Sequence, residues 1–143
     1  MLLGGIKSMF MTALDQVSLL WKLKKTRTKF YEPHIKIEID TQKFIIKTAD
    51  QLKELKEVFR LRSNVFLKEM RNKKFSLPFD IDSYDLDSDH LIIIEKKSNS
   101  IVGTYRLRST LFTQKFYAQS EFQLDPLLAL PGTKLELGRA CIA

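Results

Sequence analysis

Apolar residues at the start of the chain recur at helical spacing. Phe10, Leu14, Val17 and Trp21 fall on one stripe, with Ala13 and Leu20 alongside, and Trp21 opens directly into a basic run from Lys22 to Lys29. The pattern predicts an amphipathic helix with a cationic end. Glu32 and Pro33 mark a linker after it. Beyond the linker the order is strand, helix, strand, strand, strand. Residues Lys43 to Lys47 are a short β-branched run. Thr48 with Gln51 three residues later reads as a capping-box start, with Asp50 as an alternative cap. The helix it opens carries Leu52, Leu55, Val58 or Phe59, then Arg62 and Phe66, and is expected to run to about Glu69. Leu91 to Ile94 is continuously apolar, as in a strand covered on both faces. Ile101 to Arg108 alternates, with Tyr105 and Leu107 on one face and Thr104, Arg106 and Arg108 on the other. Ser98, Asn99 and Ser100 supply a turn that makes these two a hairpin, and a last strand is expected from about Thr133 to Ile142 after the Pro131-Gly132 turn. The fold class is therefore α/β, in α+β layers with adjacent antiparallel strands. Residues 1–36 form a basic amphipathic segment and residues 37–143 the layered domain.

Composition narrows the function. The chain has 143 residues, 44% hydrophobic and 29% charged, enough for one domain with a buried core. Its net charge of +7 is lopsided: residues 1–36 hold seven Lys/Arg against Asp15 and Glu32, so five of those seven charges lie there. The body is nearly balanced and is not a nucleic-acid surface. Two readings of the basic helix stand. In one, Trp21 and its apolar neighbours enter a membrane interface while Lys22, Lys24 and Lys25 sit over anionic head groups. In the other, the helix packs on its own domain and the lysines are solvated. The apolar runs are too short for a membrane span of about 20 residues, and nothing resembles a signal peptide. A single cysteine, Cys141, excludes an internal disulfide framework, and His34 and His90 do not complete a metal-ligand set with it, so no metal and a reducing, cytoplasmic setting are expected.

The charged residues carry the candidate chemistry. Asp80, Asp82, Asp85, Asp87 and Asp89 alternate ahead of the apolar strand. A calcium loop needs Gly at its sixth position and Glu at its twelfth; starting at Asp80 these are Asp85 and Leu91, and starting at Asp85 they are His90 and Lys96, so the pattern fails twice. The aspartates are either an exposed turn or a carboxylate-rich loop that holds a substrate amine or pairs with arginines. Arg62 on a burial-patterned helix, and Arg106 and Arg139 in strands, need anionic partners if buried. Convergence would make either a structural ion-pair network or a site for a charged ligand. Glu136 and Arg139 lie three apart, on opposite faces of a regular strand; a bulge, with Gly138 as its expected place, would bring them together and leave backbone N–H groups able to polarise a carbonyl.

The set Leu61-Arg62, Val65-Phe66 and Glu69, then Asp82 to Asp85 leading to Asp89-His90-Leu91, then Val102-Gly103-Thr104-Tyr105-Arg106-Leu107, Tyr117 to Phe122, and Glu136-Leu137-Gly138-Arg139 resembles the GNAT-type N-acyltransferases of the ornithine-lipid and haemolysin-like group. The match runs in unbroken order from about Phe44 to Ile142. The related acyl-homoserine lactone (autoinducer) synthases share a sparser version, but the tryptophan they usually carry between the helix and the aspartates is absent here. The resemblance implies a GNAT-like fold that stops after its fourth core strand, ahead of the phosphopantetheine-binding loop, with an added N-terminal helix. It implies transfer of a fatty acyl group from acyl carrier protein, or CoA, to the amine of an amino acid such as ornithine, with no metal or redox cofactor. Glu136 is the expected base for the amine. Arg62, Asp82, Asp85, Arg106 and Arg139 are expected to hold substrate or one another, and Phe66 to line the acyl path. The alternatives are an acyl-homoserine lactone synthase and a non-catalytic, membrane-peripheral fragment of an acyltransferase. Expected partners are acyl carrier protein, the amino-acid acceptor and the inner face of an anionic membrane.

Overall fold

A computed structural model describes residues 13–26, 32–67 and 78–143, with side chains over 14–22, 32–66 and 78–143. The expected contributions of Phe10 and Glu69, and of the Lys24 and Lys25 side chains, lie outside the described residues. In chain order the elements are helix α1 (Ala13–Thr26), strands β1 (Glu38–Asp40) and β2 (Phe44–Thr48), helix α2 (Leu52–Arg62) and a π turn over Ser63–Leu67. A 3₁₀ turn (Ser83–Asp87), strands β3 (Asp89–Glu95) and β4 (Ser100–Ser109), a 3₁₀ turn (Tyr117–Ser120), the short helix α3 (Asp125–Leu128) and strand β5 (Leu135–Ile142) follow.

The five strands form one antiparallel sheet in sequence order, β1 to β5. Four of them sit where the hydrophobic pattern puts them. β1 is an addition: Glu38, Ile39 and Asp40 are exposed and belong to no predicted element, yet they pair with Lys47, Ile46 and Ile45 at the sheet edge. Such a short, charged edge discourages pairing with a second chain. The β3–β4 hairpin turns through Asn99, whose φ of 53° an asparagine tolerates better than most residues.

α2 lies across the sheet and buries Leu55, Val58 and Phe59 against Ala49, Ile81 and Ile92. Burying each of the larger side chains contributes roughly 1.5–3 kcal/mol. The helix starts later than the Thr48 pattern suggests. Thr48 stays in β2, where it pairs with Leu91 and its Oγ1 accepts the Ile37 N–H at 3.0 Å. The cap falls on Gln51, and the Glu54 carboxylate reaches back to accept the N–H groups of Asp50 and Gln51 at 3.0 and 3.3 Å. Lys47 ties the end of β2 to this cap through Asp50 and Glu54, at 2.9 and 3.0 Å.

α1 packs on the same core through Leu19 and Leu20, and its buried Gln16 donates to the Phe79 carbonyl. The stripe Leu14, Val17 and Trp21 turns outward instead. Among the described residues, no helix is long and apolar enough to cross a membrane.

Candidate active site

The alternation of β4 places Arg106 and Arg108 on one face of the strand, and the sheet register sets His90 and Gly138 on either side of Arg106. The last turn of α2 brings Arg62 over this face. Arg62 is fully buried. Its Nη1 and Nη2 donate to the two oxygens of Asp85 at 2.8 and 3.1 Å, and its Nε donates to Asp80 at 2.9 Å. Arg106 Nη1 donates to both oxygens of Asp82 at 2.8 and 2.9 Å and lies 3.3 Å from Asp85 Oδ1. Arg139 Nη2 donates to Asp82 Oδ2 at 3.2 Å, and its Nε is 3.9 Å from Asp80. The aspartates are thus arginine partners rather than an exposed turn.

Asp85 is the hub. Burial alone would push its acid up, but the Arg62 guanidinium, with His90 and Arg106 beyond it, holds it well below the ordinary carboxylate range. His90 Nε2 lies 3.7 Å from Asp85 Oδ1 while the ring stands edge-on to Phe59. Arg62 and Arg106 respond in the opposite sense: burial opposes their charge, and Asp85 foremost raises them above the usual guanidinium range. The loop sets this up locally, because the Asp82 side chain accepts the Tyr84 N–H at 2.9 Å and the Asp82 N–H donates to Asp85 at 2.8 Å.

A bulge does interrupt β5. Thr104 pairs with Cys141 and Arg106 with Gly138, so Arg139 and Ala140 together face Tyr105. The residue in the left-handed conformation is Arg139, at φ 49°, and not the Gly138 favoured by the sequence. A Cβ at Gly138 would meet Arg106 Nε at 4.0 Å, an ordinary contact, so the space there does not require glycine. The bulge turns Arg139 to the Glu136 side of the strand. Its guanidinium lies 6.0 Å from the Phe66 ring and 5.9 Å from that of Tyr117. Phe66 comes from the π turn, a widening often found at functional sites.

Glu136 is engaged by backbone. Its two oxygens accept the N–H groups of Tyr117 and Ala118 at 2.9 and 2.8 Å, fastening the 3₁₀ turn to β5. Arg62, Phe66, Asp82, Asp85, Arg106 and Arg139 therefore lie in one connected cluster, with Glu136 joined to it across Tyr117. Trp21 and Lys22 belong to α1, where both are exposed. Cys141 is buried in β5 opposite Thr104.

The sequence reading passed over three features. Arg108, nearly fully buried, donates to Asp87 at 2.6 and 3.1 Å, to Ser88 at 2.8 Å, to Thr113 at 2.6 Å and to the carbonyls of Tyr84 and Lys115, both at 2.6 Å. Burial opposes the Asp87 charge, but Arg108 more than offsets it and lowers the acid. Its place two residues after Arg106 in an alternating strand was the available signal. Tyr84 and Tyr117 form an edge-to-face pair 5.4 Å apart, with Arg106 near both rings. Buried Asp89 accepts the Ile35 N–H at 2.7 Å and lies 3.4 Å from His34, which stacks on Phe112.

The side chains of Arg139, Asp82 and Asp80 alone in the six-charge cluster reach solvent appreciably, at 31%, 22% and 16% exposure. Such an opening offers a cation and carboxylates together, a match for a small zwitterion, while the buried members hold it in place. Among the described residues, no group of three or more His, Cys, Asp or Glu is arranged to hold a metal.

This arrangement of sheet, helix and bulged strand is that of a known class. Residues 61–143, more than half of the chain, match the family model described as an acetyltransferase (GNAT) domain, and the chain belongs to that family. It is 32% identical over 109 residues to an L-ornithine N(alpha)-acyltransferase of Rhodobacter capsulatus. That alignment covers 68% of this chain and 42% of the relative, so the chain spans less than half the length of the curated protein it matches. No solved structure matches it.

Proposed function

We propose that the protein transfers a fatty acyl group from the thioester of acyl carrier protein, or of CoA, to the amine of an amino acid such as ornithine. The observation that carries this reading is the solvent-reaching edge of the arginine–aspartate cluster, set at the β5 bulge of a GNAT domain. The acceptor carboxylate sits on Arg139, and its ammonium group is drawn to Asp82 and Asp80. The related ornithine acyltransferase supports an amino-acid acceptor.

Attack requires a neutral amine. Glu136 is the base. Two of its carboxylate lone pairs are taken by Tyr117 and Ala118, which leaves others to receive the proton directly or through one water. The amine nitrogen then bonds to the thioester carbon, the carbon–sulfur bond breaks, and the thiol departs with a proton. Phe66 lines the acyl path beside Arg139. The reaction belongs in the cytoplasm, where carrier thiols stay reduced and available for acylation.

The test is mass spectrometry of lipid extracts from a bacterium expressing the protein, paired with a purified reaction containing ornithine and acyl carrier protein or CoA thioesters. N-acylornithine, or another N-acyl amino acid, is the expected product. An acyl-homoserine lactone made from S-adenosylmethionine would instead assign the synthase chemistry. Absence of any acylated amine from folded protein with either donor would overturn the proposal.

A further inference from the structure

The α1–α2 side of the molecule carries a second surface that acyl transfer does not use. Leu14, Val17 and Trp21 follow one another at three and four residues, on one face of α1, and are 81%, 52% and 67% exposed. The other side of α1 is sealed against the core by Gln16, Leu19 and Leu20. Between α1 and α2 runs a groove of about 330 Å³, whose apolar lining is Val17, Leu20, Trp21, Leu52 and Phe79. Lys56 and Arg60 of α2, one turn apart and both exposed, complete it, with the Arg60 guanidinium 5.4 Å from the Phe79 ring. Lys53 and Lys22 are exposed on the same two helices.

We infer that this groove and the outward stripe of α1 dock on an anionic phospholipid bilayer. The surface has the two halves such a ligand needs. Acyl carbon covers the apolar lining and the Leu14–Val17–Trp21 stripe, and lipid phosphates meet Lys56, Arg60 and Lys22. An amphipathic helix with exposed apolar groups beside cations lies in the plane of an interface, and tryptophan prefers that depth. Among the described residues no helix is long and apolar enough to cross a bilayer, and the contact inferred here is a peripheral one. An acidic protein would satisfy the cations but would leave Trp21 outside hydrocarbon. The inference is independent of the acyl-transfer reading, and its test needs no turnover.

Trp21 is the single tryptophan of the chain, so its emission reports on this surface alone. Vesicles of phosphatidylcholine with 30 mol% phosphatidylglycerol, as a roughly physiological anionic surface, should shift the emission to the blue and allow quenching by brominated acyl chains. Pure phosphatidylcholine should bind far more weakly, and salt should weaken the anionic binding. Lys56→Ala/Arg60→Ala should partition about 30-fold more weakly, the change expected for losing two cations near an anionic surface, with an unchanged circular dichroism spectrum. Trp21→Ala, followed by vesicle sedimentation, should also lose binding. The inference is overturned by no emission shift on anionic vesicles, by equal binding to neutral vesicles, or by a double variant that binds as well as the parent. Capture of acidic carrier protein by the same residues without any bilayer binding would equally overturn it.

Discussion

Replacing Asp85 with asparagine removes one charge from the centre of the cluster and almost no volume. Asp85 Oδ1 accepts from Arg62 and Arg106, and Oδ2 from Arg62 and the Asp82 N–H. Whichever oxygen becomes an amide nitrogen, two donors lose their acceptor in a site without water access. Each unsatisfied buried group costs about 1–3 kcal/mol, and breaking a buried ion pair by removing one partner costs about 3–5 kcal/mol. The two routes agree on a loss of about 4 kcal/mol, a large share of the roughly 5–15 kcal/mol that holds a domain together. Urea unfolding at neutral pH, followed by circular dichroism, measures it directly. The pH dependence adds a second check. Because Arg62 holds the folded-state acid below its unfolded value, the stabilisation is fully present above about pH 4 and is lost as pH falls through the folded-state value. The gap between parent and Asp85→Asn should therefore narrow in acid. A neutral-pH difference under about 1 kcal/mol, or a gap that widens on acidification, would refute the assignment of Asp85 as the hub.

Arg108→Met should cost about 2–6 kcal/mol by leaving the carbonyls of Tyr84 and Lys115 without their donor, since the half-exposed Asp87 can turn to water, and Arg108→Lys should recover less than half of that, because an ammonium cannot replace the planar fork; thermal melts of the pair decide it. Glu136→Gln presents only one acceptor to the Tyr117 and Ala118 N–H groups, so it should lose about 1–3 kcal/mol of stability. It should also lower kcat by at least about 10²-fold in protein that is still folded; unchanged turnover would leave Glu136 a structural tie only. Arg139→Gly relieves a left-handed backbone while deleting a partly exposed ion pair, so stability should stay within about 1 kcal/mol. The KM for the amino-acid acceptor should rise steeply in that variant, and an unaltered KM would remove Arg139 from acceptor binding.

Elements with one dominant signal were legible in the sequence. The spacing of Leu55, Val58 and Phe59 predicts the buried face of α2, and the alternation from Ile101 to Arg108 predicts β4 and its hairpin with β3. Competing local signals were harder. Thr48–Gln51 and Gln51–Glu54 both fit a capping pattern, and the β2 ladder decided between them by keeping Thr48 in the sheet. β1 was missed because three polar-leaning edge residues carry no periodicity of their own. For the site, the need of Arg62, Arg106 and Arg139 for anions was readable, but not which aspartate each would take, since those partners are 18 to 57 residues apart. Arg108 shows the same limit: its face was predictable, but its partners Tyr84 and Asp87, 24 and 21 residues away, arrive only through tertiary folding.

The cluster's charge balance constrains how it can act. Arg62, Arg106 and Arg139 face Asp80, Asp82 and Asp85, three against three, so no net charge remains to attract a simple anion or cation. Arg62 and Asp85 are wholly buried, and neither can change partner without leaving a charge stranded at a cost of several kcal/mol. Arg139 is different. Its pair with Asp82 is 3.2 Å long and water-accessible, the kind of contact worth about 1 kcal/mol or less. A carboxylate can displace Asp82 from Arg139 cheaply, and Asp82 Oδ2, which keeps its bond from Arg106, then has a lone pair to offer an ammonium group. A zwitterion leaves the balance intact at each step, whereas a simple amine or a simple acid does not. Acceptor selection should therefore follow the presence of both groups on one small molecule: an α-amino acid should compete with the natural acceptor, while its decarboxylated amine should not.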